Sequence, residues 1–213
     1  RLRRLKWLGG EKKTETVHRE FCCFFKVDLE KCYFSPRLSF ERMRVAKLVQ
    51  PGEVIVNMFT GVGSFSVLIA KYARAQKVYS IDVNPYAVEF MRENVRLNRL
   101  GGRIVPILGD AKEIMIERLH HVADRVVMPL PEKAYEYLDC AVLALKPAGG
   151  WIHYYDFEHA LGEENPVEKV KTKVSGRLRS LGVGFDVSSG RIVRTTGPNW
   201  YQVVLDVHVV KKA

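Results

Sequence analysis

The chain has 213 residues, 47% of them apolar and 27% charged, and carries 34 Lys+Arg against 24 Asp+Glu for a formal charge of +10. That is the composition of one α/β domain with a small appendage, with no apolar run long enough to span a bilayer and no signal peptide, so a cytoplasmic protein without a membrane role is expected. Cys22, Cys23, Cys32 and Cys140 form no C-x-x-C and have no histidine at zinc spacing, which argues for reduced thiols and against a metal, while the basic clusters at 1–6, 37–47, 92–103 and 169–179 favour RNA or DNA as partner over a small acidic substrate.

The chain opens on a basic, apolar stretch (residues 1–8) without an initiator methionine, as a piece of a longer protein does. Alternation over Thr14–His18 and again over Phe21–Val27 predicts a β-hairpin or part of a small sheet. Residues 1–32 hold too little apolar surface for a large core, which makes them a subdomain packed on the rest of the chain. The segment from Tyr33 to Leu38 reads as a loop, because Pro36 and the residue before it disfavour helix. Ser39 is expected to cap a helix from Phe40 to Val49, with Glu41 and Arg42 in its first turn and Pro51-Gly52 ending it.

The stretch from Glu53 to Lys71 is the centre of the chain. An unbroken apolar run predicts a strand buried on both faces, Thr60-Gly61-Val62-Gly63 breaks it, and Phe65, Leu68, Ile69 and Tyr72 resume at helical spacing. A strand, glycine turn and helix brings backbone close to a nucleotide-like ligand. A dinucleotide fingerprint would place a third glycine where Ser66 stands. About 20 residues past the turn, the strand Val78–Ile81 ends in Asp82, an acid placed to accept from two ribose hydroxyls. An adenosine ligand without a pyrophosphate fits these features, and S-adenosylmethionine leads the candidates.

Further along, helices are predicted over Tyr86–Leu97, Lys112–Leu119, Lys133–Leu145 and Asn165–Leu181. Strands are predicted over Ile104–Leu108, Asp124–Met128 and Trp151–Tyr155, with an antiparallel pair over Gly184–Val193 and Tyr201–Val210. Strands alternating with helices mean a parallel, doubly wound sheet whose ligands sit beyond the carboxyl ends of the strands. Those ends are Phe59-Thr60-Gly61, Asp82, Asp110 and Pro129-Leu130-Pro131. The Pro-Leu-Pro loop is rigid, poor in N–H donors and provided with free carbonyls, which suits it to holding a planar base. It is equally suited to being a plain strand-to-helix turn.

Taken together, Phe34–Arg42, Asn57–Phe65, Ile81–Pro85, Gly109–Ala111, Asp124–Pro131 and Gly150–Tyr155 resemble the archaeal and eukaryotic tRNA (guanine-37 N1)-methyltransferases and their wybutosine-pathway relatives. The resemblance covers nearly the whole chain. It implies a class I S-adenosylmethionine-dependent methyltransferase, Rossmann-like with a mostly parallel seven-stranded sheet, over residues 33–213. A small N-terminal α+β subdomain over residues 1–32 precedes it, and a further N-terminal domain gripping the outer corner of tRNA is expected in a longer chain. Carried over position by position, Tyr33, Arg37, Phe59, Gly61, Gly63, Asp82, Val83, Asn84, Asp110 and Ala111 would hold the cofactor, which leaves as S-adenosylhomocysteine. Glu41 would be the general base and Arg42 its neighbour at the guanine, with Pro129 and Pro131 shaping the catalytic loop. Arg1, Arg42, Leu130 and Lys133 would contact the tRNA. The chain would act as a monomer without metal.

Two positions depart from the pattern. Asn57 stands where an acid usually ends the first strand. Pro129-Leu130-Pro131 stands where the family's methyltransferases read Asn-Leu-Pro and its aminocarboxypropyl-transferring members place a glycine first. Loss of that asparagine implies a roomier base pocket, one admitting a tricyclic wyosine-type base, methylated at C7, beside guanosine. Aminocarboxypropyl transfer and a non-catalytic RNA-binding module are the competing readings. A DNA or protein-glutamine methyltransferase would need an aromatic after Pro131, where Glu132 stands.

Overall fold

The computed structural model describes Leu5–Val210. The expected hairpin is present: β1 (Glu15–Glu20) and β2 (Cys23–Asp28) pair antiparallel from Glu15↔Asp28 to Glu20↔Cys23 as a sheet of their own. Its two-residue turn puts Phe21 and Cys22 at φ +43° and +53°. Such a turn follows the twist of the strands but favours Asn and Gly, and each larger side chain there costs roughly 1–2 kcal/mol.

Seven strands form the main sheet: β3 (Val54–Asn57), β4 (Lys77–Asp82), β5 (Ile104–Leu108), β6 (Arg125–Met128), β7 (Gly149–His159), β8 (Gly184–Gly197) and β9 (Trp200–Val210). Their spatial order is β5-β4-β3-β6-β7-β9-β8. The β4–β5, β3–β6 and β6–β7 pairs are parallel, and β9 runs against both β7 and β8. This is the mostly parallel, Rossmann-like sheet that the alternation predicts. Pro106 is tolerated inside β5 because that strand lies at the edge, where one row of N–H groups has no ladder to join.

The chain divides into two compact units, one running through Glu53 and resuming over Phe59–Ala111, the other made of Val54–Met58 and the chain from Lys112 on. In the first, α1 (Ser39–Leu48), α2 (Ser64–Tyr72) and α3 (Pro85–Leu97) bury Val45, Leu68, Ile69, Val88 and Met91 together with Phe25 and Val27 of the hairpin. In the second, α5 (Leu138–Ala144) and α6 (Pro166–Ser180) bury Leu138, Val174 and Leu178, and the strands bury Val126, Ile152, Tyr154 and Leu205. The short α4 (Ala111–Glu117) begins where the two meet in sequence.

Several boundaries differ from expectation, among them β7, read as Trp151–Tyr155 and found over Gly149–His159, and β8, read to Val193 and found to run to Gly197. Ser39 does not cap α1: a 3-10 turn over Pro36–Leu38 leads directly into the helix, the preceding Leu38 offers no side-chain cap, and Ser39 donates its own N–H to the Pro36 carbonyl. The helix expected over Lys133–Leu145 is a 3-10 turn, Ala134–Tyr137, followed by α5 alone. After Pro131 the Leu130 carbonyl accepts from both Lys133 and Ala134, which tightens the first turn below α-helical pitch. Asp124 stands before β6, where its carboxylate accepts from the Val54 N–H and the Lys146 ammonium.

Candidate active site

The glycine turn and Asp82 meet as the sequence predicts. Asp82 ends β4, and its Oδ2 accepts from the Gly61 N–H at 2.6 Å while Oδ1 accepts from the Asn84 N–H at 2.9 Å. The Thr60 N–H donates to the Ile81 carbonyl and the Gly109 N–H to that of Asp82, which ties the turn and the loop before Asp110 to the end of the same strand. A carboxylate offers about four acceptor positions, so two stay available for a ribose diol. Burial pushes the Asp82 carboxyl above the ordinary carboxylate range, partly offset by the two N–H donors.

Both glycines are needed where they stand. Gly61 and Gly63 hold φ at +58° and +90°, and a Cβ on Gly63 would come within 3.0 Å of the Met91 side chain. Gly61 lies against the Tyr33 carbonyl, 3.6 Å from where its Cβ would be. Gly63 also starts α2 with no capping side chain and no acid in the first turn, a helix N-terminus suited to an anionic ligand group. The missing third glycine has a packing reason: Ser66 is fully buried on α2, and its hydroxyl accepts from Ser80 of β4 at 2.7 Å.

Val83 is 63% exposed beside Asp82, an apolar surface open to a planar ring. Ala111 is buried at the start of α4, directly after Asp110. Asn84 is committed elsewhere: its Oδ1 accepts from the Tyr86 N–H as the cap of α3, and its Nδ2 donates to the Lys31 carbonyl. It therefore holds the loop before Tyr33 as well as the start of α3. Arg37 is exposed on the 3-10 turn, and Phe59 is half-buried between β3 and the glycine turn.

The acid–base candidates have partners that sequence reading missed. Glu41 is 2% exposed on α1, and Arg44 one turn later donates to both its oxygens, at 2.8 Å from Nη2 and 3.1–3.2 Å from Nε. Arg42, also 2% exposed, donates from Nε and Nη2 to the two oxygens of Glu20 at 2.7 and 2.6 Å and from both terminal nitrogens to the Ser35 carbonyl, with its guanidinium over the Phe34 ring. These four bonds tie α1 to β1 and to Ser35 and anchor the helix that carries Glu41.

In the second unit, Pro131 is buried, and Pro129 and Leu130 are half-buried. The Leu130 carbonyl, expected to be free, closes the turn after it. Lys133 is exposed and pairs with Glu136 at 3.0 Å. Asn57 is fully buried at the end of β3. Arg1 lies outside the described residues. Among the described residues no group of three or more histidine, cysteine or acidic side chains could hold a metal, and no helix is long and apolar enough to cross a membrane.

Comparison with known proteins decides which fold family this geometry serves. Residues 16–179 match the model of the TRM5/TYW2 methyltransferase domain. The chain belongs to that family. A TRM5/TYW2 relative from Pyrococcus abyssi, the tRNA (guanine(37)-N(1))-methyltransferase Trm5b, is 41% identical over 98% of this chain and 60% of its own length. The tRNA 4-demethylwyosine(37)-methyltransferase Taw21 of Saccharolobus solfataricus is likewise 41% identical, over 94% of this chain and 71% of its own. The crystal structure of Methanocaldococcus jannaschii Trm5 in complex with adenosine superposes with a TM-score of 0.84 at 36% identity, covering 99% of this chain and 61% of that one. The chain thus spans about three fifths of the Trm5 proteins that it matches.

Proposed function

We propose that this TRM5/TYW2 domain transfers a methyl group from S-adenosylmethionine to N1 of guanosine 37 of tRNA. The observation that carries the reading is the Gly61–Asp82 junction, which presents a carboxylate with spare acceptors beside exposed Val83 and a bare helix N-terminus. These features suit a ribose, an adenine ring and an amino-acid carboxylate in turn. S-adenosylmethionine supplies an electrophilic methyl on a sulfonium. Tyr33, Phe59, Val83, Asp110 and Ala111 line its pocket in this reading, and Gly61 and Gly63 let the backbone approach it.

Guanine N1 carries a proton at neutral pH and becomes a nucleophile only when a base removes it. Glu41 takes that proton, and Arg44 holds its carboxylate in one rotamer beforehand. Arg42 acts as a positioning residue through Glu20. Negative charge gathers on guanine O6 as the proton leaves, which calls for a cation beside it. Pro129, Leu130 and Pro131 give the base a rigid edge, and Lys133 a phosphate contact. Residues 1–32 form the appended subdomain of a cytoplasmic monomer whose methyltransferase domain is 33–213.

A second substrate is favoured by one position. Pro129 removes the amide that the asparagine of the usual loop would aim at guanine, and the identity to Taw21 equals that to Trm5b. We infer that C7 of the tricyclic 4-demethylwyosine base at the same position is methylated too. Glu41→Gln tests the base assignment: kcat for guanosine 37 should fall about 10²- to 10⁴-fold with cofactor affinity unchanged. An unaltered rate would remove Glu41 from the chemistry.

A further inference from the structure

The hairpin turn and the helices beside it carry a surface that the proposed chemistry does not use. Phe40 is 83% exposed at the start of α1, and Phe21, Phe24 and Tyr72 expose between a third and a half of their surface. Phe21, Phe40 and Tyr72 form one group, and Phe24 and Arg19 face each other across the hairpin beside its turn. Phe21 meets Phe40 edge-on at 6.3 Å, the Tyr72 hydroxyl donates to the Phe21 carbonyl, and the Arg19 guanidinium lies 5.7 Å from the Phe24 ring centre. The turn holds Phe21 outward in a left-handed backbone conformation that phenylalanine rarely adopts.

The charges around the rings are one-sided. Arg19, Lys47, Lys71 and Arg74 are exposed and make no ion pair among the described residues. The acids of the same elements are already engaged: Glu20 and Glu41 are buried against Arg42 and Arg44, Glu15 pairs with Lys26, and buried Asp28 pairs with Lys31. Lys47 lies seven residues from Phe40 and so on the same face of α1. The field of Lys71 reaches Cys23 beside the turn. Exposed aromatic faces interleaved with unneutralised cations match a chain of phosphates with unstacked bases.

We propose that this surface, Phe21, Phe24, Phe40 and Tyr72 with Arg19, Lys47 and Lys71, docks an unpaired stretch of RNA, its bases stacked on the rings. The inference rests on the tRNA substrate proposed above and adds a docking surface to it. Binding is read with fluorescein-labelled tRNA and the full-length protein, alongside cofactor affinity and thermal midpoint. Phe21→Asn is the informative variant, because asparagine suits the left-handed turn while removing the ring. It should keep the thermal midpoint and cofactor affinity, and combined with Phe40→Ala it should weaken tRNA binding about 5-fold or more. Lys47→Glu with Lys71→Glu should flatten the dependence of binding on salt by about one unit of slope for each phosphate that is no longer neutralised.

Alkylation of exposed Cys22 at the turn should also slow when tRNA is bound. Folded variants whose tRNA affinity and salt slope stay within about 2-fold of the parent would overturn the proposal, as would Cys22 reacting equally fast with and without RNA. If the parent protein binds tRNA through these residues yet methylates neither base, the docking surface stands and the enzymatic reading falls. If it methylates and the variants bind normally, the reverse holds.

Discussion

Asp82, the proposed ribose ligand, is also part of what holds the fold. Its two oxygens hold the Gly61 and Asn84 N–H groups, so the acid shapes the turn before any ligand arrives. Asp82→Asn keeps the size but sets an amide N–H₂ against one of those donors and removes the charge facing the ribose. S-adenosylmethionine affinity should fall about 10- to 100-fold in calorimetry. The pH dependence follows from the raised carboxyl. Because burial lifts its folded pKa, protonated Asp82 stabilises the ligand-free fold, and that contribution is lost as pH rises through the folded value. Cofactor binding needs the ionised form and should weaken on acidification earlier than an ordinary carboxylate of pKa near 3.9 would dictate. Affinity independent of pH down to about 4 would contradict this.

At this scale, legibility in the sequence stopped at local spacing. Gly61, Gly63 and Asp82 are set by a strand-turn-helix-strand pattern that any chain must follow to make the unit. The partners of the buried charges were not read. Glu20 meets Arg42 across 22 positions of chain, beyond local spacing, whereas Arg44 stands three residues past Glu41 on a helix that the pattern already predicts. The capping of α3 by Asn84 is a local signal of the same kind.

Among elements, the attachment of the hairpin to α3 was invisible to pattern reading and has a simple physical basis. Asn94 and Asn98 lie four residues apart on one face of α3. Asn98 accepts from the Phe24 N–H at 2.9 Å and donates to its carbonyl at 2.7 Å, and Asn94 does the same for Lys26 at 2.7 and 3.1 Å. Two side chains thus serve the edge of β2 that faces away from β1, where a third strand would otherwise be required. Asn94 also donates to the Val62 carbonyl inside the glycine turn at 2.9 Å, so hairpin, helix and turn share one residue. Asn94→Ala should cost about 1–3 kcal/mol in denaturant unfolding and loosen cofactor binding as well. A stability loss with cofactor affinity untouched would show that the link to the turn is idle. Pattern reading found nearly every strand and helix because each is strongly periodic. It overran at α5, where the Leu130 carbonyl captures two successive N–H groups.

For the molecule as a whole, the sheet order, the family match and the basic excess of +10 are what the proposal of an RNA-modifying methyltransferase rests on. The order of β9 and β8 at one edge was legible only as an antiparallel pair, since nothing local says which of two late strands joins β7. The proposed substrate rests on the loop Pro129-Leu130-Pro131, whose first residue is the one expected to differ in both methyl- and aminocarboxypropyl-transferring relatives. Product analysis tests that claim most directly. The full-length protein is incubated with S-adenosylmethionine and tRNA bearing either guanosine or 4-demethylwyosine at position 37, and the digested nucleosides are weighed. The account predicts a single methyl-sized gain on guanosine, at N1, and a second one on the tricyclic base. An aminocarboxypropyl-sized gain, or none on guanosine with the cofactor bound, would contradict it.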